Sequence, residues 1–142
     1  MQNLFVYGTL LSSEITEKLT GKTFETKYAV LEGYKMYCVK GCDYPAIIRE
    51  KGAETKGKIL VNVDDSDLKM LSDYEGKEYT KIKVKVLCSN KYEYALTFVW
   101  SKDLHLLETR DWDFKDFQKN RLKFYLDDEV AEFLHELHKK QP

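Results

Sequence analysis

The chain has 142 residues, of which 43% are hydrophobic, and a formal net charge of −1, which suits one compact domain with a single sizeable core. It lacks the basic stripe that a phosphate backbone requires, and no run of about 18 apolar residues offers a membrane span, so neither nucleic acid nor a membrane is expected as a partner. The first residues lead straight into Leu4-Phe5-Val6-Tyr7 without the basic start and long apolar stretch of a secretory leader, and a cytoplasmic location is expected.

Leu4 to Tyr7 is an apolar run that stops at Gly8 and reads as a buried strand entering a turn. Ser12 or Ser13 is placed to cap a short helix from Glu14 to about Lys18. Lys27 to Leu31 and Tyr34 to Val39 read as strands around a turn at Glu32-Gly33. Pro45 biases Tyr44 towards an extended backbone and starts a short strand from Ala46 to Arg49. Gly57 to Val63 is strand-like, with Ile59, Val61 and Val63 on one face. Asp64 to Asp67 then offers N-cap chemistry for a helix through Leu68, Leu71 and Tyr74, with Gly76 just past its end.

Lys81 to Leu87 alternates strictly, with Ile82, Val84 and Val86 inward and three lysines outward. After a turn at Ser89-Asn90-Lys91, the returning strand is expected to carry Tyr92, Tyr94, Leu96, Phe98 and Trp100 on one face. In the last third the period becomes helical. Phe114, Phe117, Arg121 and Phe124 follow one another, and Asp127 or Asp128 can cap a second segment with Val130, Phe133, Leu134 and Leu137 on a stripe. The pattern predicts an α+β fold: a small mixed, mostly antiparallel β-barrel with an embedded short helix and a helical C-terminal tail. Residues 1–117 form the domain, and residues 118–142 a helical extension packed on it.

Ten tyrosines, with their apolar rings and polar tips, suit a pocket for a polar ligand as well as a core. Three cysteines do not make a disulfide framework, and the Cys38 to Cys42 spacing has no second Cys/His pair to complete a zinc site. His135 and His138 lie three apart near Lys139 and Lys140, where solvated cations suit a helix end, and His105 stands alone in a loop. No nucleophile elbow or phosphate loop is present.

Two segments remain. At Tyr7-Gly8-Thr9-Leu10 a glycine lets the backbone bend close to a ligand, and successive N–H groups there can cradle an anion; the plainer reading is a strand that needs a turn. At Asp73-Tyr74-Glu75-Gly76 a carboxyl sits at the negative end of a helix dipole, which disfavours its ionisation and suits a proton acceptor working near neutral pH; the plainer reading is a surface glutamate before a helix-ending glycine. Tyr44 serves equally as pocket wall or as packing.

Taken in order, Leu4 to Leu10, Tyr44-Pro45-Ala46, Gly57 opening a strand, Leu71 to Gly76 and Tyr79 resemble the γ-glutamylcyclotransferase-like superfamily, most of all its γ-glutamylamine cyclotransferase branch, over about residues 4 to 117. The resemblance implies a cavity between the first strand's exit loop and the helix that ends in Glu75. It implies Glu75 as acid/base and Tyr7, Gly8, Thr9 and Leu10 as the loop holding a γ-glutamyl head, with Tyr44 and Tyr79 beside the substrate. Asp111-Trp112 resembles a short motif near the end of several relatives. Lys81 stands where relatives often have arginine, and it keeps the charge but not the bidentate fork.

The implied reaction converts a γ-glutamyl amide or amine into 5-oxoproline and a free amine, through attack by the substrate's own α-amine. It needs neither metal nor cofactor. Two alternatives stand beside it: release of a γ-glutamyl group from a different amide, and a non-catalytic small-molecule-binding or protein-interaction domain on the same scaffold. The oligomeric state is left open, a homodimer included.

Overall fold

The computed structural model describes residues 1–139, so Lys140 falls outside it. Strand β1, Gln2–Val6, is an apolar run rather than an alternating one because it lies between two strands, antiparallel to one and parallel to the other, with both faces covered. A 3-10 turn, Thr9–Leu11, follows Gly8 and leads into α1, Ser13–Thr20. Ser12 caps α1 through its Oγ, which accepts the Ile15 N–H.

Strands β2, Thr26–Val39, and β3, Pro45–Val63, replace the four short strands expected here. They pair antiparallel from Thr26 opposite Leu60 to Cys38 opposite Pro45. Glu32-Gly33 is therefore not a turn. Gly33 and Gly52, at φ of 85° and 86°, bend the two strands without ending them, and the register shifts between Glu32 and Tyr34 as at a bulge. A second irregularity lies at Asn62, φ 58°, beside the register shift of β1 against β3. It breaks the alternation, so Ile59 and Val63 enter different cores instead of sharing a face.

Helix α2, Asp65–Glu75, starts where the aspartates predicted: Asp64 accepts the Asp67 N–H, and Lys22 Nζ bridges both carboxylates at 2.9 and 2.8 Å. Strands β4, Tyr79–Cys88, and β5, Lys91–Trp100, form the expected hairpin, in register throughout, around Ser89-Asn90 with positive φ at both positions. Tyr92 and Tyr94, however, are 57% and 59% exposed. Their face is covered only from Leu96 onward, and near the turn it is solvated, with the Lys83 ammonium 4.8 Å above the Tyr94 ring.

The sheet order is β3-β1-β5-β4-β2-β6, with β6 at Leu107–Glu108, and a further β3–β2 pairing brings the order back to its start. Five strands and Tyr7 supply one core, around Phe5, Leu31, Ile47, Ile59 and Val86. The other core lies between sheet and helices and includes Leu4, Ile15, Leu71, Phe98 and Phe117. The fold is thus α+β with a mostly antiparallel sheet, a helix embedded between strands and a helical C-terminus.

The tail runs through α3, Phe114–Asn120, α4, Leu122–Phe124, a π-helical segment, Tyr125–Val130, and α5, Ala131–Lys139. Asp127 and Asp128 lie inside the π segment and cap nothing. The wide π turn shifts the phase of the buried stripe to Leu122, Tyr125 and Val130, which leaves Phe124 58% exposed. These three residues pack in the same core as Leu4 and Leu71. All three cysteines are free, and no helix among the described residues is long and apolar enough to cross a membrane.

Candidate active site

Leu68, Leu71 and Glu75 fall at i, i+3 and i+7 of α2 and share one stripe. The apolar contacts that dock the helix therefore also turn its last carboxyl inward. That spacing was readable in the sequence as the sign of an inward-facing glutamate. Gly76 then turns the chain away towards β4.

Glu75 makes no hydrogen bond to another described residue, and it lines both spaces described below. As a residue it is part-buried. Burial pushes its pKa up to about 8 from an ordinary 4.5. Burial, and after it the neighbouring Glu75 carboxylate, holds the phenols of Tyr7 and Tyr79 well above their usual range.

The exit loop of β1 lies against this helix end. A Cβ on Gly8 would sit 2.9 Å from the Pro45 ring, so only glycine lets that ring close over the loop. Thr9 Oγ1 stands 3.3 Å from the Tyr74 hydroxyl, joining segments 65 residues apart in the chain. No side chain caps the 3-10 turn at Gly8.

A cavity of about 470 Å³ opens here, walled by Thr9, Tyr44, Tyr74, Glu75, Tyr79 and Tyr125. Its size falls in the usual range for small-molecule sites. A second, narrow space of about 10 Å³ separates Glu75 from Tyr7-Gly8-Thr9-Leu10 and also touches Tyr44; it has room for about one water. All seven residues singled out in the sequence thus surround these two spaces. Only Thr9, Tyr44, Glu75 and Tyr79 reach the larger one; Tyr7, Gly8 and Leu10 line only the narrow one.

Two of the tyrosine hydroxyls are committed to the scaffold. Tyr7 donates to the Phe98 carbonyl at 2.6 Å, and Tyr79 donates to the Pro45 carbonyl at 2.8 Å with its ring edge-on to Trp100. Tyr79 therefore holds Pro45, which in turn bears on Gly8. Tyr79→Phe would leave the buried Pro45 carbonyl without its donor, at a cost of about 1–2 kcal/mol. Thermal denaturation should show a melting temperature lower by roughly 3–8 °C; a shift below about 1 °C would remove the strut.

Asp111-Trp112 is also structural, since the Trp112 indole N–H donates to the Asp43 carbonyl at 2.8 Å, next to Tyr44. Lys81 is exposed on β4, away from the cavity.

Sequence reasoning missed the tail's part in the site. Tyr125, Glu129, Glu132, Phe133 and Glu136 line the larger cavity, and the Phe133 ring meets the Tyr74 ring edge-on at 5.7 Å. The signal was there: Tyr125, Glu129, Glu132 and Glu136 recur at helical spacing. It was obscured because the apolar stripe of the same segment reads as packing alone.

Comparison with known proteins places this geometry in a group. The family model described as Gamma-glutamyl cyclotransferase, AIG2-like, matches residues 4–114. AIG2-like protein D of Arabidopsis thaliana is 32% identical over 131 residues, covering 89% of this chain and 85% of that protein. A solution structure of an Arabidopsis thaliana protein superposes with a TM-score of 0.69 at 27% identity, covering 98% of this chain and 84% of the other. A structure described as a gamma-glutamyl cyclotransferase shares the fold, with a TM-score of 0.65 at 18% identity over 92% of this chain and 86% of its own.

Proposed function

The chain belongs to the Gamma-glutamyl cyclotransferase, AIG2-like family, and on that premise we propose that it converts a γ-glutamyl amide or amine into 5-oxoproline and a free amine, with Glu75 as general acid/base. The observation that carries this reading is a carboxyl without a hydrogen-bond partner among the described residues on the wall of a ligand-sized cavity, where burial pushes its pKa up to about 8. An α-ammonium has a reference pKa near 8, so proton transfer to Glu75 is close to balanced, the condition under which a general base is most effective near neutral pH.

The steps follow from that match. Glu75 takes a proton from the substrate's α-ammonium. The freed nitrogen attacks the γ-carbonyl carbon, and the new C–N bond closes a five-membered ring. The bond from that carbon to the leaving nitrogen breaks as Glu75 returns its proton to that nitrogen; the ring nitrogen then gives its second proton to the freed Glu75 carboxylate, which passes it to the departing amine, so that the products are 5-oxoproline and an ammonium. The main-chain N–H groups of Gly8, Thr9 and Leu10 are assigned to the α-carboxylate and the developing oxyanion. Thr9 is where that loop meets the larger cavity. Folding the flexible glutamyl chain for ring closure supplies several kcal/mol of the rate advantage, on the order of that for well-oriented intramolecular reactions.

The test is 5-oxoproline release by the purified protein from γ-glutamyl-ε-lysine, γ-glutamyl amino acids and γ-glutamyl alkylamides. Turnover of at least one class is expected. Calorimetric binding of 5-oxoproline with no turnover of any of them would replace the enzyme by a binding domain.

A further inference from the structure

Hydroxyl groups run in a row along the wall of the larger cavity. Thr9 Oγ1 stands 3.3 Å from the Tyr74 hydroxyl, and the Tyr74 phenol is hydrogen-bonded in turn to that of Tyr125. All three residues line the cavity. Thr9 belongs to the loop after β1 and Tyr74 to the end of α2, whereas Tyr125 comes from the tail, beyond residue 114, where the family match ends. Neighbouring rings hold the phenols: Phe133 meets Tyr74 edge-on at 5.7 Å, and the buried Phe117 meets Tyr125 edge-on at 5.3 Å.

The row has a hydrogen to spare. Each hydroxyl carries one, and two bonds join the three groups, so one of three hydrogens is left over. These hydroxyls form no other hydrogen bond with a described residue. Burial lifts the pKa of both phenols; the bond between them lifts Tyr125 further and pulls Tyr74 part of the way back, as when Tyr125 donates and Tyr74 accepts. Tyr74 then has its own hydrogen to give, and Thr9 Oγ1 is the neighbour that takes it. The hydrogen left over is that of Thr9, which is buried and lines both spaces.

No lysine, arginine or histidine lines either space. A carboxylate held there must be bound by neutral donors, and a hydroxyl bonded to an anion contributes more than one bonded to a neutral group. We propose that Tyr125 is a positioning residue: it donates to Tyr74, Tyr74 donates to Thr9, and the Thr9 hydroxyl is thereby aimed at the α-carboxylate of the γ-glutamyl substrate, beside the N–H groups of the loop. The proposal rests on the cyclotransferase reading for what the cavity holds. The tail thus takes part in recognising the carboxylate. Its effect falls on binding rather than on the chemical step, because the carboxylate is held alike before and during ring closure.

The test is calorimetry with 5-oxoproline, which keeps the carboxylate, and with 5-oxoprolinamide, which has a neutral amide in its place. Thr9→Val removes the donor. Tyr125→Phe removes the hydroxyl that aims it and keeps the ring against Phe117. Thr9→Val should weaken 5-oxoproline binding about tenfold and Tyr125→Phe about fivefold, while 5-oxoprolinamide shifts by less than about twofold in either. The double variant should bind no more weakly than Thr9→Val, since both changes act on one bond. In the release assay KM should rise by the same factors with kcat within about twofold of wild type, and these KM values decide alone if 5-oxoproline binds too weakly to measure.

Losses that multiply in the double variant, equal losses for the two ligands, or a fall in kcat at unchanged KM overturn the inference and leave cyclisation intact. The stated binding pattern without turnover upholds the hydroxyl row and removes the enzyme. A wild-type protein that neither binds 5-oxoproline nor turns over a γ-glutamyl substrate ends both.

Discussion

Glu75→Gln is expected to lose at least about a hundredfold in turnover, the low end for removal of a general acid/base, and at the same time to melt at a higher temperature than the wild type at pH 8. Both effects have one cause. Burial lifts the carboxyl's pKa to about 8, whereas an unfolded glutamate titrates near 4.3. Between those values the folded protein keeps a proton that the unfolded chain has released.

Stability contributed by this group is therefore fully present below about pH 4.3, declines as pH rises and levels off above about 8, by a total on the order of a few kcal/mol. Glutamine has the same shape and no charge, so it escapes that decline. Wild type and variant should melt within a degree or two of each other at pH 5, and the variant should melt several degrees higher at pH 8. The wild type's kcat/KM should also rise with pH along a limb near 8, where Glu75 loses its proton. Unchanged turnover in the variant would dismiss Glu75 as the acid/base. Superimposable melting curves at pH 8 would show instead that the carboxyl is not held in an apolar setting.

Legibility of the fold tracked how local each cause was. The cap at Asp64, the cap at Ser12 and the turn at Ser89-Asn90 were read correctly because neighbouring residues determine them. The continuity of β2 and β3 was not, since glycine that ends a strand and glycine that bends one look alike until the partner strand is known. The exposure of Tyr92 and Tyr94 was hidden for a similar reason. Alternation identifies a face, and only the placement of distant helices decides how far along that face is covered.

The site divides in the same way. Tyr7 to Leu10, Tyr44 and Glu75 could be named from short motifs, and the structure gathers them around two adjoining spaces. The hydroxyl bonds of Tyr7 and Tyr79 to distant carbonyls leave no trace in sequence. The contribution of the tail left only the helical spacing of Tyr125, Glu129, Glu132 and Glu136, which the apolar stripe of the same segment obscured.

Gly57→Ala should be among the most destabilising single-methyl additions in this protein. Gly57 lies within β3, opposite Ala29 of β2, and its φ is an ordinary one. What makes glycine necessary is space. A Cβ there would overlap the Val6 carbonyl oxygen and come within 2.8 Å of the Phe5 ring. Neither obstacle can yield cheaply, because Val6 is held by the β1–β3 ladder and Phe5 is fully buried in the strand-lined core. Overpacking commonly costs about 1–3 kcal/mol, and a clash with fixed backbone belongs at or above the top of that range. For a domain of this size that corresponds to a melting temperature lower by roughly 10 °C.

Because β1 leads directly into Gly8 and Thr9, displacing it also moves the loop against Glu75, so turnover should fall together with stability. Gly52→Ala supplies the contrast. At φ 86° it is strained, but nothing lies within 4 Å of the added carbon, so it should cost only about 1 kcal/mol, the penalty for a left-handed alanine, and leave turnover intact. Equal losses for the two variants would mean that crowding against Val6 and Phe5 is not what holds β1, and with it the loop, in place.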